Sequence, residues 1–192
     1  MKINRLIFLG TLVSFHFNPL FGKTDSSSII KPFGIGLHIE QLKLNDIDNL
    51  SMGPANKIIF TFSPIHSFRL ESELGFRFGK DHDKHTSIYL GLGAFGMFQR
   101  KKLNIYSGLR FEYAIMRLKM TVSDFSKTIS RLGIGPVLGC EYYIGSNFTL
   151  GGEFGLKYYS LETTQKNPPS FYHVGKSNYF TTDTGLFIRF YF

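Results

Sequence analysis

The strongest constraint on what this chain can become is a strict alternation of period two that sorts residues by an unusual rule. In "FRLESELGFRFG" (68–79), Phe68, Leu70, Ser72, Leu74, Phe76 and Phe78 fall on one side of an extended strand. Arg69, Glu71, Glu73, Gly75, Arg77 and Gly79 fall on the other. "FTLGGEFGLKYYS" (148–160) repeats the rule, with Phe148, Leu150, Phe154, Leu156 and Tyr158 against Thr149, Gly151, Glu153, Gly155, Lys157 and Tyr159. The closing "GLFIRFYF" sets Leu186, Ile188, Phe190 and Phe192 against Gly185, Phe187, Arg189 and Tyr191. The charges and the glycines share one face, and the opposite face is apolar.

The same reading continues along the chain. After residue 30 no 3.6-residue stripe lasts three turns, so no helix is expected. Extended runs fall at 32–42, 57–64, 68–79, 87–98, 103–114, 130–144, 148–160 and 178–192, which makes eight strands. Their connections alternate in length. "IHS", "QRKKL" and "GSN" are short, whereas "KLNDIDNLSMGPAN", "KDHDKHT", "KMTVSDFSKT" and "ETTQKNPPSFYHVGKS" are longer and polar. Short turns at one rim and long loops at the other describe an up-and-down antiparallel meander. Pro136, inside a strand, cannot donate to the ladder and predicts a bulge or a local break.

Eight antiparallel strands close into a barrel either in water, with the apolar face inward, or in a membrane, with that face outward. Three features select the membrane. Glycine on a solvated face only weakens a strand, whereas a narrow lumen filled with long side chains needs small neighbours. The charged face mixes signs: Arg69, Arg77, Arg110, Arg131, Lys157 and Arg189 oppose Glu40, Glu71, Glu73, Glu112, Glu141, Glu153 and Asp183. Such near-balance suits ion pairs in a closed space, since an unpaired buried charge costs several kcal/mol. The apolar face carries no charge within the strand cores. Closure also satisfies every backbone group that hydrocarbon cannot. The expected fold is therefore all-β, an eight-stranded antiparallel up-and-down transmembrane β-barrel. Those thirteen charged residues form its lumen network, read as structural filling in preference to an ion path.

The remaining features bound the function. "MKINR" followed by the apolar "LIFLGTLVSF" has the layout of a secretory signal peptide, assigned to residues 1–22, with the barrel domain over 23–192. One cysteine, Cys140, leaves no disulfide framework and no CxxC metal site. The net charge of +8 comes from dispersed residues with no nucleic-acid motif, so no nucleic-acid partner is expected. Asp81, His82, Asp83 and His85 match no metal spacing and are read as a solvated loop. No cofactor, metal or catalytic group is expected.

This pattern resembles the small eight-stranded outer-membrane β-barrels of Gram-negative bacteria, the OmpA/OmpX-like and OmpW-like proteins. Its most specific piece is the C-terminus: Leu186, Ile188, Phe190 and Phe192 resemble the signal by which the barrel-assembly machinery recognises its clients. The resemblance implies insertion in the outer membrane, contact with its lipid and lipopolysaccharide, short periplasmic turns and long extracellular loops. It does not imply one activity. Lipid A deacylases of this size use a closely spaced His and Ser, and here His173 and Ser177 stand four apart in an expected loop. Palmitoyl transferases carry a preceding amphipathic helix, for which "KTDSSSII" is too short. At the long-loop rim, Lys80, Lys84, Arg117, Lys119, Lys127, Lys166 and Lys176 are candidates for lipopolysaccharide phosphates. The resulting expectation is a monomeric, non-catalytic outer-membrane anchor that presents its loops for interaction or adhesion. The alternatives are a narrow pore for small solutes and, third, a lipid A-modifying enzyme.

Overall fold

The computed structural model describes residues 31–43, 56–79, 83–120, 126–167 and 171–192. The leader assigned to residues 1–22, and Lys80, Asp81 and His82, lie outside them. The eight strands are β1 (Phe33–Lys43), β2 (Asn56–Ile65), β3 (Phe68–Gly79), β4 (Asp83–Arg100), β5 (Leu103–Met120), β6 (Ser126–Tyr143), β7 (Phe148–Asn167) and β8 (Phe171–Tyr191). Each pairs antiparallel with its sequence neighbour, and β1 pairs with β8 to close the ring.

The C-terminal ladder forms half of that seam. Gly34 lies opposite Tyr191, Gly36 opposite Arg189 and His38 opposite Phe187. The amide of Phe192 donates to the Phe33 carbonyl at 3.0 Å, and its ring packs on Phe33 with centroids 6.4 Å apart. Phe33 in turn stacks on Phe62 of β2 at 5.1 Å. The last residue of the chain thus clamps the closure on the outside, while Arg189 points in.

Burial follows the alternation. Arg110, Arg189, Arg69 and Glu73 are at most 1% exposed, whereas Leu37, Leu92, Leu109 and Leu138 are more than half exposed. The barrel is polar within and apolar without. Four strands carry an outward apolar or aromatic residue at each end of a ten-residue span: Phe68 and Phe78, Leu103 and Tyr113, Phe148 and Tyr158, Phe190 and Phe180. At 3.3 Å per residue and the usual barrel tilt, ten residues rise roughly 25 Å, the height of a lipid-facing band. Tyr158 and Phe180 meet at 5.0 Å at its upper edge.

The strands continue beyond that edge, which corrects the expected loop lengths. Residues 162–177, read as a sixteen-residue loop, are mostly the top of a hairpin, paired from Glu162 opposite Lys176 to Asn167 opposite Phe171. Similarly, β4 begins at Asp83 and β5 reaches Met120. The period-two signal fades here because the outer face leaves the apolar band while the inner face turns apolar. Met116 and Ile129 are buried inside, with Leu118 and Leu161 packed against them. Arg117, Lys119, Glu162, Lys166 and Lys176 are exposed. Above the band the patterning is therefore that of a sheet in water, apolar within and charged without.

Pro136 makes a break but no bulge. The β6–β7 pairing lapses at Gly135 and Pro136, then resumes at Val137 opposite Gly155 in the register it had at Ile134 opposite Tyr158. The shifts in register lie elsewhere, between Glu40 and Leu42 and between Phe62 and Ile65 beside Pro64.

Candidate functional site

Among the described residues the lumen is where the fold concentrates chemistry, and it is assembled level by level. Nearest the short turns, Glu141 of β6 accepts from Asn104 Nδ2 at 2.7 Å, Arg189 Nη1 at 2.8 Å, the Tyr191 hydroxyl at 3.1 Å, and Arg69. Glu71 of β3 sits where three guanidinium groups converge: Arg189 Nη2 at 2.7 Å, Arg110 Nη2 at 2.8 Å and Arg69 Nη1 at 3.5 Å. Arg110 also reaches both oxygens of Glu153 and lies 3.3 Å from Glu73. Glu73 accepts from the Tyr89 hydroxyl at 2.9 Å and meets His38 Nδ1 at 3.1 Å and Lys57 Nζ at 3.8 Å. Higher still, Lys157 bridges Glu112 and Asp183. Arg131 lies over the Tyr159 ring, 4.3 Å from its centroid.

The account of charge closes. Among the described residues the buried cations are Lys57, Arg69, Arg110, Arg131, Lys157 and Arg189. The buried carboxylates are Glu71, Glu73, Glu112, Glu141, Asp183 and Glu153, also six. His38 lies between Glu73 and Glu153. Such a network offsets the desolvation of each ion with several partners, and removing one member leaves the others uncompensated.

The glycines explain how the network is held. Tyr106 of β5 lies directly opposite Gly139 of β6, and a Cβ on Gly139 would overlap the tyrosine ring. Because that position is bare, the ring crosses β6 and its hydroxyl reaches Glu153 of β7 at 3.0 Å. Tyr159 of β7 mirrors it, crossing β6 at Gly133 to donate to Glu112 of β5 at 2.5 Å. Phe187 over Gly151 and Tyr191 over Gly34 complete the set. Glycine here lets an aromatic ring lie flat across a neighbouring strand.

Set against the sequence reading, Arg69, Glu71, Glu73, Arg110, Glu112, Arg131, Glu141, Glu153, Lys157, Asp183 and Arg189 are brought together inside. Arg77 is not. It has the inward parity but its side chain is exposed, because β3 ends two residues later, near the rim. Glu40 is opposite Gly185 on the backbone, and its side chain lies outside the described residues. Sequence reasoning missed Lys57 and His38, as well as the carboxylate-holding roles of Asn104, Tyr89, Tyr106, Tyr159 and Tyr191. Parity could have found the first two: Lys57 shares a face with Ile59 and Thr61, and His38 with Gly34 and Gly36.

His173 and Ser177, read as loop residues, both lie in β8. Four residues of strand place their backbones roughly 13 Å apart. Among the described residues, His38, Glu73 and Glu153 are one group with the donor types to hold a metal. The Arg110 guanidinium already lies against both of these carboxylates, so a cation occupies that position.

No protein-family model matches the sequence, and no curated protein does. Solved structures do resemble it. A major outer membrane protein from Thermus thermophilus matches with a TM-score of 0.53 at 12% identity, over 84% of this chain and 99% of that one. The N-terminal β-barrel domain of Pseudomonas aeruginosa OprF matches with a TM-score of 0.52 at 12% identity, over 84% and 98%. Ail, the attachment invasion locus protein of Yersinia pestis, matches with a TM-score of 0.51 at 11% identity, over 83% and 95%. At these identities the likeness establishes the fold, which is that of the small outer-membrane β-barrels.

Proposed function

We propose that this outer-membrane-type barrel resides in the outer membrane of a Gram-negative bacterium as a non-catalytic, non-conducting anchor for the surface that projects from its long-loop end. The observation that carries the reading is the lumen. Arginines, lysines, carboxylates and tyrosines interlock at successive levels from Glu141 to Asp183, nearly all of them no more than 6% exposed. An interior only just wide enough for its side chains, filled by mutually bonded ones, leaves no continuous water path. What remains available for interaction is the sheet above the band, including the part of β8 from Phe171 to Thr182, whose β1-side edge meets no described strand.

The same reading proposes the partners. The apolar belt contacts lipid. Arg117, Lys119, Lys166 and Lys176, outward and exposed just above its upper edge, suit the phosphates of lipopolysaccharide. Leu186, Ile188, Phe190 and Phe192 serve as the recognition strand for the barrel-assembly machinery. Planar-bilayer recording of the refolded protein tests the central point: the anchor reading expects no discrete conductance steps. Reproducible single-channel steps that Arg110→Ala enlarges would replace it with a narrow pore. A shifted lipid A mass on overexpression would replace it with an enzyme.

A further inference from the structure

A groove of about 530 Å³ runs across the outer face of β2–β5. Its floor follows one rung of the sheet, the paired Thr61, Glu71, Gly93 and Arg110. These positions have inward parity, so the floor is backbone. The walls are the outward residues of the two flanking rungs. Phe62, Leu70, Ala94 and Leu109 stand on one side, and Phe60, Ser72, Leu92 and Phe111 on the other. Ser72 and Ala94 are the short residues of these walls, so the groove is deepest at β3 and β4. Below Ala94 the next outward pair is Gly96 and Ser107. A Cβ on Gly96 would meet only the Ser107 carbonyl oxygen, at 3.8 Å. This gap leads toward the short-turn edge of the belt. The opposite side is shut by the next rung, Leu90, Tyr113 and Leu132.

We propose that one acyl chain of a phospholipid, from the leaflet on the short-turn side, occupies this groove. The width selects the occupant. Rungs two residues apart are separated by roughly 7 Å, whereas a helix with its side chains is about 10 Å across. A helix therefore bridges the walls without reaching the floor, and a single hydrocarbon chain fits between them. The course of the groove selects the leaflet. Because the strands tilt, a rung climbs through the belt: Leu70 stands two residues above Phe68, at the lower edge of β3, and Phe111 eight above Leu103, at the lower edge of β5. The open gap at Gly96 and Ser107 lies at the low end, so a chain enters from below and runs upward. Hydrocarbon gains nothing from leaving hydrocarbon, so the preference comes from dispersion contacts on three sides, where a flat face offers one. The inference rests on the barrel lying in a bilayer, as proposed above.

The chain has no Trp, so a single introduced Trp reports on its own surroundings. The test uses the full chain refolded into vesicles of a short-chain phosphatidylcholine, with folding checked by heat-modified gel mobility. A long-chain phosphatidylcholine brominated along its acyl chains is added in rising fraction as the quencher. Phe60→Trp reports from the groove wall. Ile188→Trp, two residues above Phe190 on β8, reports from the lipid face away from it. Half-quenching at Phe60→Trp should come at a brominated fraction roughly threefold or more below that at Ile188→Trp, the ratio that a few additional close atom contacts supply. Ser72→Leu with Ala94→Leu fills the groove and should bring the two midpoints together. Leu138→Phe, which adds bulk to the lipid face outside the groove, should leave them apart. Equal midpoints in the parent chain, or a difference that survives the filling pair, would overturn the proposal. Weaker quenching at Phe60→Trp that grows with protein density would overturn it in favour of a second copy covering the groove. Absence of quenching at both positions would overturn the bilayer reading itself, and the groove's occupant with it.

Discussion

Removing the Arg110 guanidinium should be among the costliest single changes this barrel can suffer. Arg110 is fully buried and touches three carboxylates, Glu71 at 2.8 Å, Glu73 at 3.3 Å and Glu153 at 3.1 Å. Glu71 keeps Arg69 and Arg189, and Glu73 keeps Lys57, His38 and Tyr89. Among the described residues Glu153 retains the Tyr106 hydroxyl at 3.0 Å and His38 Nε2 at 3.6 Å. Arg110→Ala therefore strands one buried carboxylate and leaves the interior one positive charge short. Breaking a buried pair in this way costs about 3–5 kcal/mol. With a urea slope of about 2 kcal/mol per molar, the unfolding midpoint should fall by roughly 2 M. The control is Lys176→Ala, whose ion pair with Glu162 at 3.6 Å is exposed on both sides; an exposed pair contributes about 0–1 kcal/mol. The assay is urea titration in lipid vesicles, read by heat-modified gel mobility. Arg110→Met combined with Glu153→Leu should recover part of the loss, since apolar replacement of both partners removes the stranded charge. Midpoints for Arg110→Ala and Lys176→Ala within about 0.5 M of each other would refute the reasoning, because they would mean that water already screens the lumen.

Other outcomes follow from the same geometry. Deleting Phe192 removes the clamp on Phe33 and the terminal aromatic, and should lower the amount of heat-modifiable barrel in the outer membrane, measured by fractionation and immunoblot. Leu74→Arg places a charge on the lipid face and should cost about 2–4 kcal/mol near the midplane, read as a lowered urea midpoint in vesicles. Cys140 has the outward parity and is exposed; a lipid-phase maleimide should label it while a membrane-impermeant aqueous one does not. Gly139→Ala forces the Tyr106 ring off β6 and away from Glu153, and should destabilise by about 1–3 kcal/mol, whereas Gly145→Ala, with open space around it, should be silent in the same titration.

Which side chains face lipid and which face the lumen is a local property. It follows from the two-residue repeat of an extended chain, so Leu186, Ile188, Phe190 and Arg189 declare their faces without reference to any other strand. Strand number and the rim that carries the short turns are local in the same sense, because turn residues punctuate each run. The alternation depends on having two different solvents on the two faces. Where the strands rise above the bilayer that contrast reverses and weakens, which is why Glu162–Asn167 and Phe171–Ser177 read as loop. The partners within the lumen are a matter of register and closure. Arg189 meets Glu71 across 118 positions of sequence, and only the β1–β8 seam and the stagger of seven other pairings bring them to 2.7 Å. The tyrosines show the same division. That Tyr106 and Tyr159 point inward was readable from parity. That each lies opposite a bare glycine on β6, and so reaches a carboxylate one strand further on, was decided by pairing across strands, which no single strand's sequence contains.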